Sequence, residues 1–229
     1  MREVNSFLPC IWRHPDVGIV TDRMRFVQER CRGRKVLNLG CVDEGLTEER
    51  FTQGNLLHTM LLDVAREVWG VDCSEEGLRF LREKGVPNLI WGNVEHLERI
   101  VELREQSFEV IVASEIIEHL ANPGLFLESA KRLFGPQTVM ILTTPNAFRL
   151  SQFSYLWQRA ELVHPDHNFW FSWHTLSTLL AKSGYEILET SMYTFLDPDL
   201  PLLKSAWAKL VAGLKRRTSD RASLSAVSR

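Results

Sequence analysis

The sequence predicts an α/β protein built on a doubly wound, mostly parallel sheet with helices on both faces. Three observations predict it. Short apolar runs alternate with amphipathic stretches of about ten residues, which is the rhythm of βαβ units. The runs are apolar without a break, as in VIVA at 110–113 and VMIL at 139–142, as expected of strands covered on both faces. Polar or small residues (Gly40, Asp72, Asn93, Ser114 and Thr144) stand where the runs end. That is the edge outside which such sheets bind their ligands.

Residues 1–34 read as an N-terminal helical cap, and 35–196 as one α/β domain. Lys35–Cys41 is the first strand. Gly54–Glu67 has Leu57, Leu61, Leu62 and Ala65 at helical spacing, and Val68–Asp72 is the second strand. Glu75–Lys84 is a helix stopped by Gly85 and Pro87. Asn88–Trp91 is the third strand and Val94–Arg104 a helix; Phe108–Ser114 is the fourth strand. Pro123–Phe134 is a helix closed by Gly135 and Pro136, and Thr138–Thr144 the fifth strand. Residues 145–172 are a long connection rich in aromatics and histidines, and long loops at the ligand edge are often functional. Trp173–Ser183 is a helix and Tyr185–Phe195 a sixth strand. Residues 197–216 hold an amphipathic helix with Leu203, Trp207, Leu210, Val211 and Leu214 on one stripe. Residues 217–229 are polar enough to read as a disordered tail.

Composition narrows the function. Hydrophobic residues are 45% and charged residues 24% of the 229, which excludes a disordered chain, a fibre and a multi-span membrane protein. The four cysteines show no CxxC spacing and read as reduced thiols of a cytoplasmic protein. The net charge of −2 hides an asymmetry: seven basic residues and one acidic lie between Lys204 and Arg229, leaving −8 on residues 1–203. An acidic body is a poor match for nucleic acid, whose binding rests on phosphate neutralisation. The basic helix near the C-terminus can pack on its own domain, pair two subunits, or lie on an anionic membrane surface, so monomer and homodimer both stay open. No GxGxxG follows the first strand, which disfavours a nicotinamide-dependent oxidoreductase.

VLNLGC, VWGVDCS, WGNVEHL, FEVIVASEIIEHL and MILTTPN, with HPDHNFWFSWHTL downstream, resemble class I S-adenosylmethionine (SAM)-dependent methyltransferases over about 150 residues. The resemblance implies a Rossmann-like fold, SAM as cofactor, and methyl transfer to a small-molecule acceptor. It places the methionine part of SAM at Asn38, Gly40, Cys41 and Asp43, the ribose at Asp72 and Cys73, and adenine at Asn93 and Val94, with Ser114 beside them. Asn38 stands where the family carries an acid, and Val42 where it carries a glycine; Asp43 or Glu44 can replace the missing carboxylate facing the methionine ammonium. The family also closes its sheet with a seventh, antiparallel strand, for which the sequence gives no clear candidate.

Glu115, Glu118 and His119 lie at helical spacings of three and four, just after the fourth strand. This E-x-x-E-H block resembles metal-assisted O-methyltransferases, in which a second histidine comes from the loop after the fifth strand. Here that loop offers His164, Asp166 and His167. The resemblance thus implies His119, Glu115 and His167 as catalytic residues, and Glu115, Glu118, His119 and His167 as a ligand set for Mg²⁺, Mn²⁺ or Zn²⁺. The alternative is His119 as a base with no metal. A hydroxyl needs such an activator more than an amine does, which favours a sugar, glycan or secondary metabolite as acceptor. An RNA 2′-O-methyltransferase and a non-catalytic SAM-binding protein are the rivals. His58 reads as a surface or capping residue. Trp157, Phe169, Trp170, Phe171 and Trp173 form either a small core under the long connection or a wall for an apolar acceptor.

Overall fold

A computed structural model describes residues 11, 18–20, 22–148, 155, 157–193 and 223–228. In chain order the elements are β1 (Gly18–Val20), α1 (Arg23–Cys31), β2 (Lys35–Leu39), α2 (Thr47–Thr52), α3 (Leu57–Leu62), β3 (Glu67–Asp72), α4 (Glu75–Glu83) and β4 (Leu89–Trp91). Two 3₁₀ segments follow, Val94–Arg99 and Val101–Leu103. After them come β5 (Val110–Ser114), α5 (Pro123–Lys131), β6 (Val139–Thr144), α6 (Trp173–Lys182), β7 (Ile187–Tyr193) and β8 (Ser223–Ser228).

The strands form one sheet in the order β1-β7-β8-β6-β5-β2-β3-β4. Every pairing is parallel except those of β8, which runs antiparallel to both β6 and β7. From β2 the chain winds outward through β3 and β4, then returns to β5 on the other side of β2. The winding therefore reverses between β2 and β5, and the crevice outside their carboxyl ends is the expected ligand site.

Alternation along the strands builds a core on each face. Leu37, Leu39, Ile111, Ala113, Met140 and Leu142 join Phe126, Leu127, Leu176 and Leu180 from α5 and α6. On the opposite face Val36, Val110, Val112 and Ile141 pack with Val27 and Cys31 of α1 and Leu57 and Leu61 of α3.

The sequence reading needs four corrections. The helix expected over 54–67 is only α3, because Gly54 takes a left-handed φ of 70° and separates it from α2. The helix expected over 94–104 is 3₁₀: Val94, Leu97, Ile100 and Leu103 are all buried, and a spacing of three lines up along a three-residue turn. The N-terminal cap contains a strand as well as a helix, since β1 pairs with β7. Finally, residues 223–228, read as part of a disordered tail, supply the antiparallel strand that seemed to be missing. Their serines hide them from a hydropathy reading, but ladder bonds between β6 and β7 require only backbone. The amphipathic stretch at 202–214 lies outside the described residues.

One polar contact is built into the core. Asn38, on the Val36 face of β2, is 1% exposed and lies with its Nδ2 3.3 Å from Nδ1 of the fully buried His58. His58 is therefore not a surface residue. Gly70 makes the room: a Cβ there would meet His58 Cε1 at 2.7 Å and Cys41 Sγ at 2.8 Å. Burial pushes the His58 imidazole down from 6.5 to about 4, so the fold holds it neutral.

Two outcomes follow. Gly70→Ala overpacks this spot and destabilises the protein by about 1–3 kcal/mol in urea unfolding. Because the unfolded chain protonates His58 first, stability is full above pH 6.5 and falls as the pH drops toward 4, by about 3 kcal/mol. Urea titrations of wild type and His58→Gln across that window check this, with the variant expected to show the shallower slope.

Candidate active site

The first half of the site is the turn after β2. Gly40 takes φ 70°, and an added Cβ would sit 2.7 Å from Ile116 Cδ1; only glycine suits this close approach. The carboxylate of Asp72, at the end of β3, fixes the turn. Its Oδ2 accepts from Val42 N at 2.8 Å and its Oδ1 from Ser74 N at 2.9 Å. Each oxygen keeps a further lone pair, so the carboxylate is held in place with acceptor capacity left. Burial raises its pKa, against the backbone hydrogen bonds that lower it. Val42, in place of the expected glycine, is accommodated because Gly77 in α4 presents no Cβ to its side chain.

The replacement acid is otherwise engaged. Asp43 Oδ2 pairs with Arg50 at 2.7 Å, and the Asp43 carbonyl accepts from Thr47 Oγ1 and Leu46 N. Asp43 thus shapes the turn that leads into α2, whose N-cap is Leu46. The side chains of Asn38 and Cys41 are also turned into the core, where Cys41 lies against Gly70. Past β4, the exposed Trp91 donates from its indole to the Cys73 carbonyl at 3.0 Å. Asn93 caps the 3₁₀ segment by accepting from Glu95 N at 2.8 Å. Val94 is buried, so it has only backbone to offer a ligand.

The second half lies at the ends of β5, β6 and β7. Glu115, directly after β5, holds a left-handed φ of 54°, a strained conformation for a side chain of this size. Its Oε1 accepts from Tyr193 Oη at 2.5 Å and from Thr143 Oγ1 at 3.1 Å. Ser114 Oγ contacts Thr143 Oγ1 at 2.9 Å and accepts from Arg23. Glu118 is 1% exposed and accepts from Thr144 Oγ1 at 2.9 Å. Burial, together with the neighbouring Glu115 charge, pushes its pKa up to about 8. Arg23, Thr143 and Tyr193 escaped the sequence reading, for no local pattern marks them; the topology brings them in.

The long connection completes the site. The Glu118 carbonyl accepts from both Asn168 N (2.8 Å) and Phe169 N (3.0 Å), and Asn168 Nδ2 donates to the His119 carbonyl at 2.7 Å. Ala147 N donates to the Phe171 carbonyl at 2.8 Å. This docks HPDH on His119. Its Nδ1 lies 3.1 Å from Asp166 Oδ2, and its ring centroid is 4.5 Å from His167 and 5.3 Å from His164. The three histidines each offer a ring nitrogen, and these lie within 4.8 Å of one another. These are the side chains that could hold a cation. Glu115 and Glu118 are not in the group; their carboxylates bond to Thr143, Thr144 and Tyr193 instead. Burial first, then the charges of Asp72, Glu44 and Asp166, holds the Cys73 thiol above its ordinary pKa. The aromatics divide. Phe171 is buried in the core and Trp173 packs on it, whereas Trp157 and Phe169 are exposed.

A glycine turn and a fixed acid at the switch point are what the sequence resemblance to SAM-dependent methyltransferases leads one to expect. A family model described as a methyltransferase domain matches residues 11–190, and the chain belongs to that family. It is 29% identical over 162 residues to a Mycolicibacterium smegmatis protein named "Probable S-adenosylmethionine-dependent methyltransferase", covering 70% of this chain and 55% of that one. It is 26% identical over 166 residues to the human mitochondrial ubiquinone biosynthesis O-methyltransferase, covering 68% of this chain and 42% of the relative. The chain thus spans about half the length of the curated relatives it matches. An Archaeoglobus fulgidus SAM-dependent methyltransferase superposes with a TM-score of 0.55 at 16% identity, covering 90% and 93% of the two chains; this shows a shared fold. SAM is the cofactor that membership of the class implies. Among the described residues no helix is long and apolar enough to cross a membrane.

Tyr193→Phe removes a short donor from the Glu115 carboxylate. It should lower stability by about 1.5 kcal/mol, read as a shift of the urea midpoint at constant m-value.

Proposed function

We propose that the chain transfers the methyl group of SAM to a hydroxyl of a small molecule, with a sugar, glycan or secondary metabolite as the acceptor class. The observation that carries this reading is the His119, His164 and His167 cluster, held with Asp166 at the carboxyl end of β5. A neutral hydroxyl is a weak nucleophile and needs a group that takes its proton or lowers its pKa. The likeness to ubiquinone biosynthesis O-methyltransferases supports oxygen as the acceptor atom, and the acidic body supports a small molecule over RNA.

Asp72, already oriented by Val42 N and Ser74 N, accepts the ribose hydroxyls. The Gly40 turn lets the methionine part approach the backbone, Asn93 and the Val94 backbone meet adenine, and the exposed Trp91 covers the rim. The acceptor oxygen lies at the histidine cluster, in line with the methyl carbon. The C–S bond breaks as the C–O bond forms, and the hydroxyl proton leaves through the cluster. Alignment accounts for much of the acceleration, because the sulfonium leaving group is intrinsic to the cofactor. If a divalent cation is bound, the histidines hold it and it contributes by lowering the pKa of the hydroxyl.

Two variants separate binding from chemistry. Asp72→Ala weakens SAM binding by about 2–3 kcal/mol, roughly 30- to 150-fold in calorimetry. His119→Ala leaves SAM affinity within about twofold and lowers turnover by about 100-fold or more. Transfer of labelled methyl from SAM across a panel of sugars, phenols and amines tests the reading itself. Label on a hydroxyl is the expected result; label on amines alone, or on no acceptor, contradicts it.

A further inference from the structure

We infer that His119, His164 and His167 form a three-nitrogen site for one divalent transition cation of the zinc type. Asp166 is its outer carboxylate, and Glu115 and Glu118 lie outside the coordination sphere. Three features point there. The ring nitrogens converge within 4.8 Å from two distant parts of the chain, and the backbone bonds on the Glu118 and His119 carbonyls hold those parts together. Next, His119 Nδ1 faces Asp166 Oδ2 at 3.1 Å. A proton on Nδ1 leaves Nε2 as the electron-pair donor, and a carboxylate behind a histidine in this way is the usual support of a metal-bound imidazole. Lastly, among the described residues neither glutamate belongs to the converging group. Glu115 accepts from Tyr193 and Thr143, and Glu118 accepts from Thr144 through Oε2 while its Oε1 is buried without a hydrogen-bond partner.

The donor chemistry selects the metal. Mg²⁺ and Ca²⁺ take oxygen ligands, whereas imidazole nitrogens suit Zn²⁺, Cu²⁺, Fe²⁺ and Ni²⁺. Three protein ligands leave a fourth position open, as in catalytic zinc centres. His164 Nδ1 accepts from Asp166 N at a long 3.3 Å; ligation through that nitrogen exchanges a weak hydrogen bond for a metal bond. The carboxylate set suggested by the E-x-x-E-H spacing is thereby replaced by histidines, two of them from one loop.

The site coincides with the activating cluster of the proposed function, but metal binding is measured without acceptor, so the two fail separately. The full-length chain, purified without a histidine tag, is stripped with chelator and titrated with Zn²⁺ and with Co²⁺. Expected are one equivalent bound, visible absorption of nitrogen-ligated Co²⁺, and no competition from millimolar Mg²⁺. His164→Ala and His167→Ala should each lower Zn²⁺ affinity by at least 100-fold, and Asp166→Asn by about 10- to 100-fold, with unchanged circular dichroism. Glu118→Gln should retain wild-type affinity. His164 and Asp166 are exposed, so their replacement tests ligation without disturbing the core. Failure to bind Zn²⁺ or Co²⁺ stoichiometrically, indifference to His164→Ala, or loss of binding in Glu118→Gln would each overturn the assignment. Methyl transfer to a hydroxyl by a chain that binds no metal would overturn it while leaving the function standing.

Discussion

The site depends on one backbone clamp. The Glu118 carbonyl, in the turn after β5, accepts two successive N–H groups from the far end of a long connection. Sequence separation of some fifty residues makes that closure costly in chain entropy, and two hydrogen bonds alone do not offset it. Phe171 and Trp173, packed on the core immediately downstream, supply the rest. The clamp turns a surface loop into a wall of the crevice. The strained Glu115 is tolerated for a separate reason: its backbone N donates to Thr143 O at 2.9 Å and its carboxylate is held by Tyr193 and Thr143. The chain is over-determined on both sides of the unfavourable φ.

On the opposite side of the crevice, the same economy operates around Asp72. A buried carboxylate without partners is costly. Here backbone donors on both oxygens satisfy it and at the same time set the shape of the Gly40 turn. The turn accepts Val42 because Gly77 presents no Cβ to it. Asp43 pairs with Arg50, and its carbonyl accepts from Thr47 Oγ1 at the start of α2. Asn38 is the core partner of His58 beneath Gly70.

Much of this was legible in the sequence because it rests on periodicity. The unbroken apolar runs gave six strands within two residues or so of their ends, and Gly40, Asp72 and Asn93 fell at the carboxyl edge as their positions after those runs implied. What failed to show had other causes. Strand β8 is recruited by open backbone edges, which serine-rich SLSAVS does nothing to advertise. The 3₁₀ segments carry a spacing of three that a helical reading absorbs without protest. Arg23 and Tyr193 reach the site only because β1 and β7 lie together at the sheet edge, a long-range pairing with no local signature. The E-x-x-E-H spacing was read as one face of a helical turn, yet the left-handed Glu115 breaks that turn. The Glu115 and Glu118 carboxylates bond to Tyr193, Thr143 and Thr144, while His119 joins His164 and His167.

The proposed function requires one geometry, with the methyl group of SAM presented to the histidine cluster across the β2–β5 crevice. A crystal structure with S-adenosylhomocysteine tests it most directly. The account predicts ribose hydroxyls on the Asp72 carboxylate, adenine beside Trp91 and Asn93, and the thioether sulfur directed at His119, His164 and His167 with room for one acceptor oxygen between. A ligand bound with its ribose away from Asp72, or with its sulfur turned away from the three histidines, would contradict it.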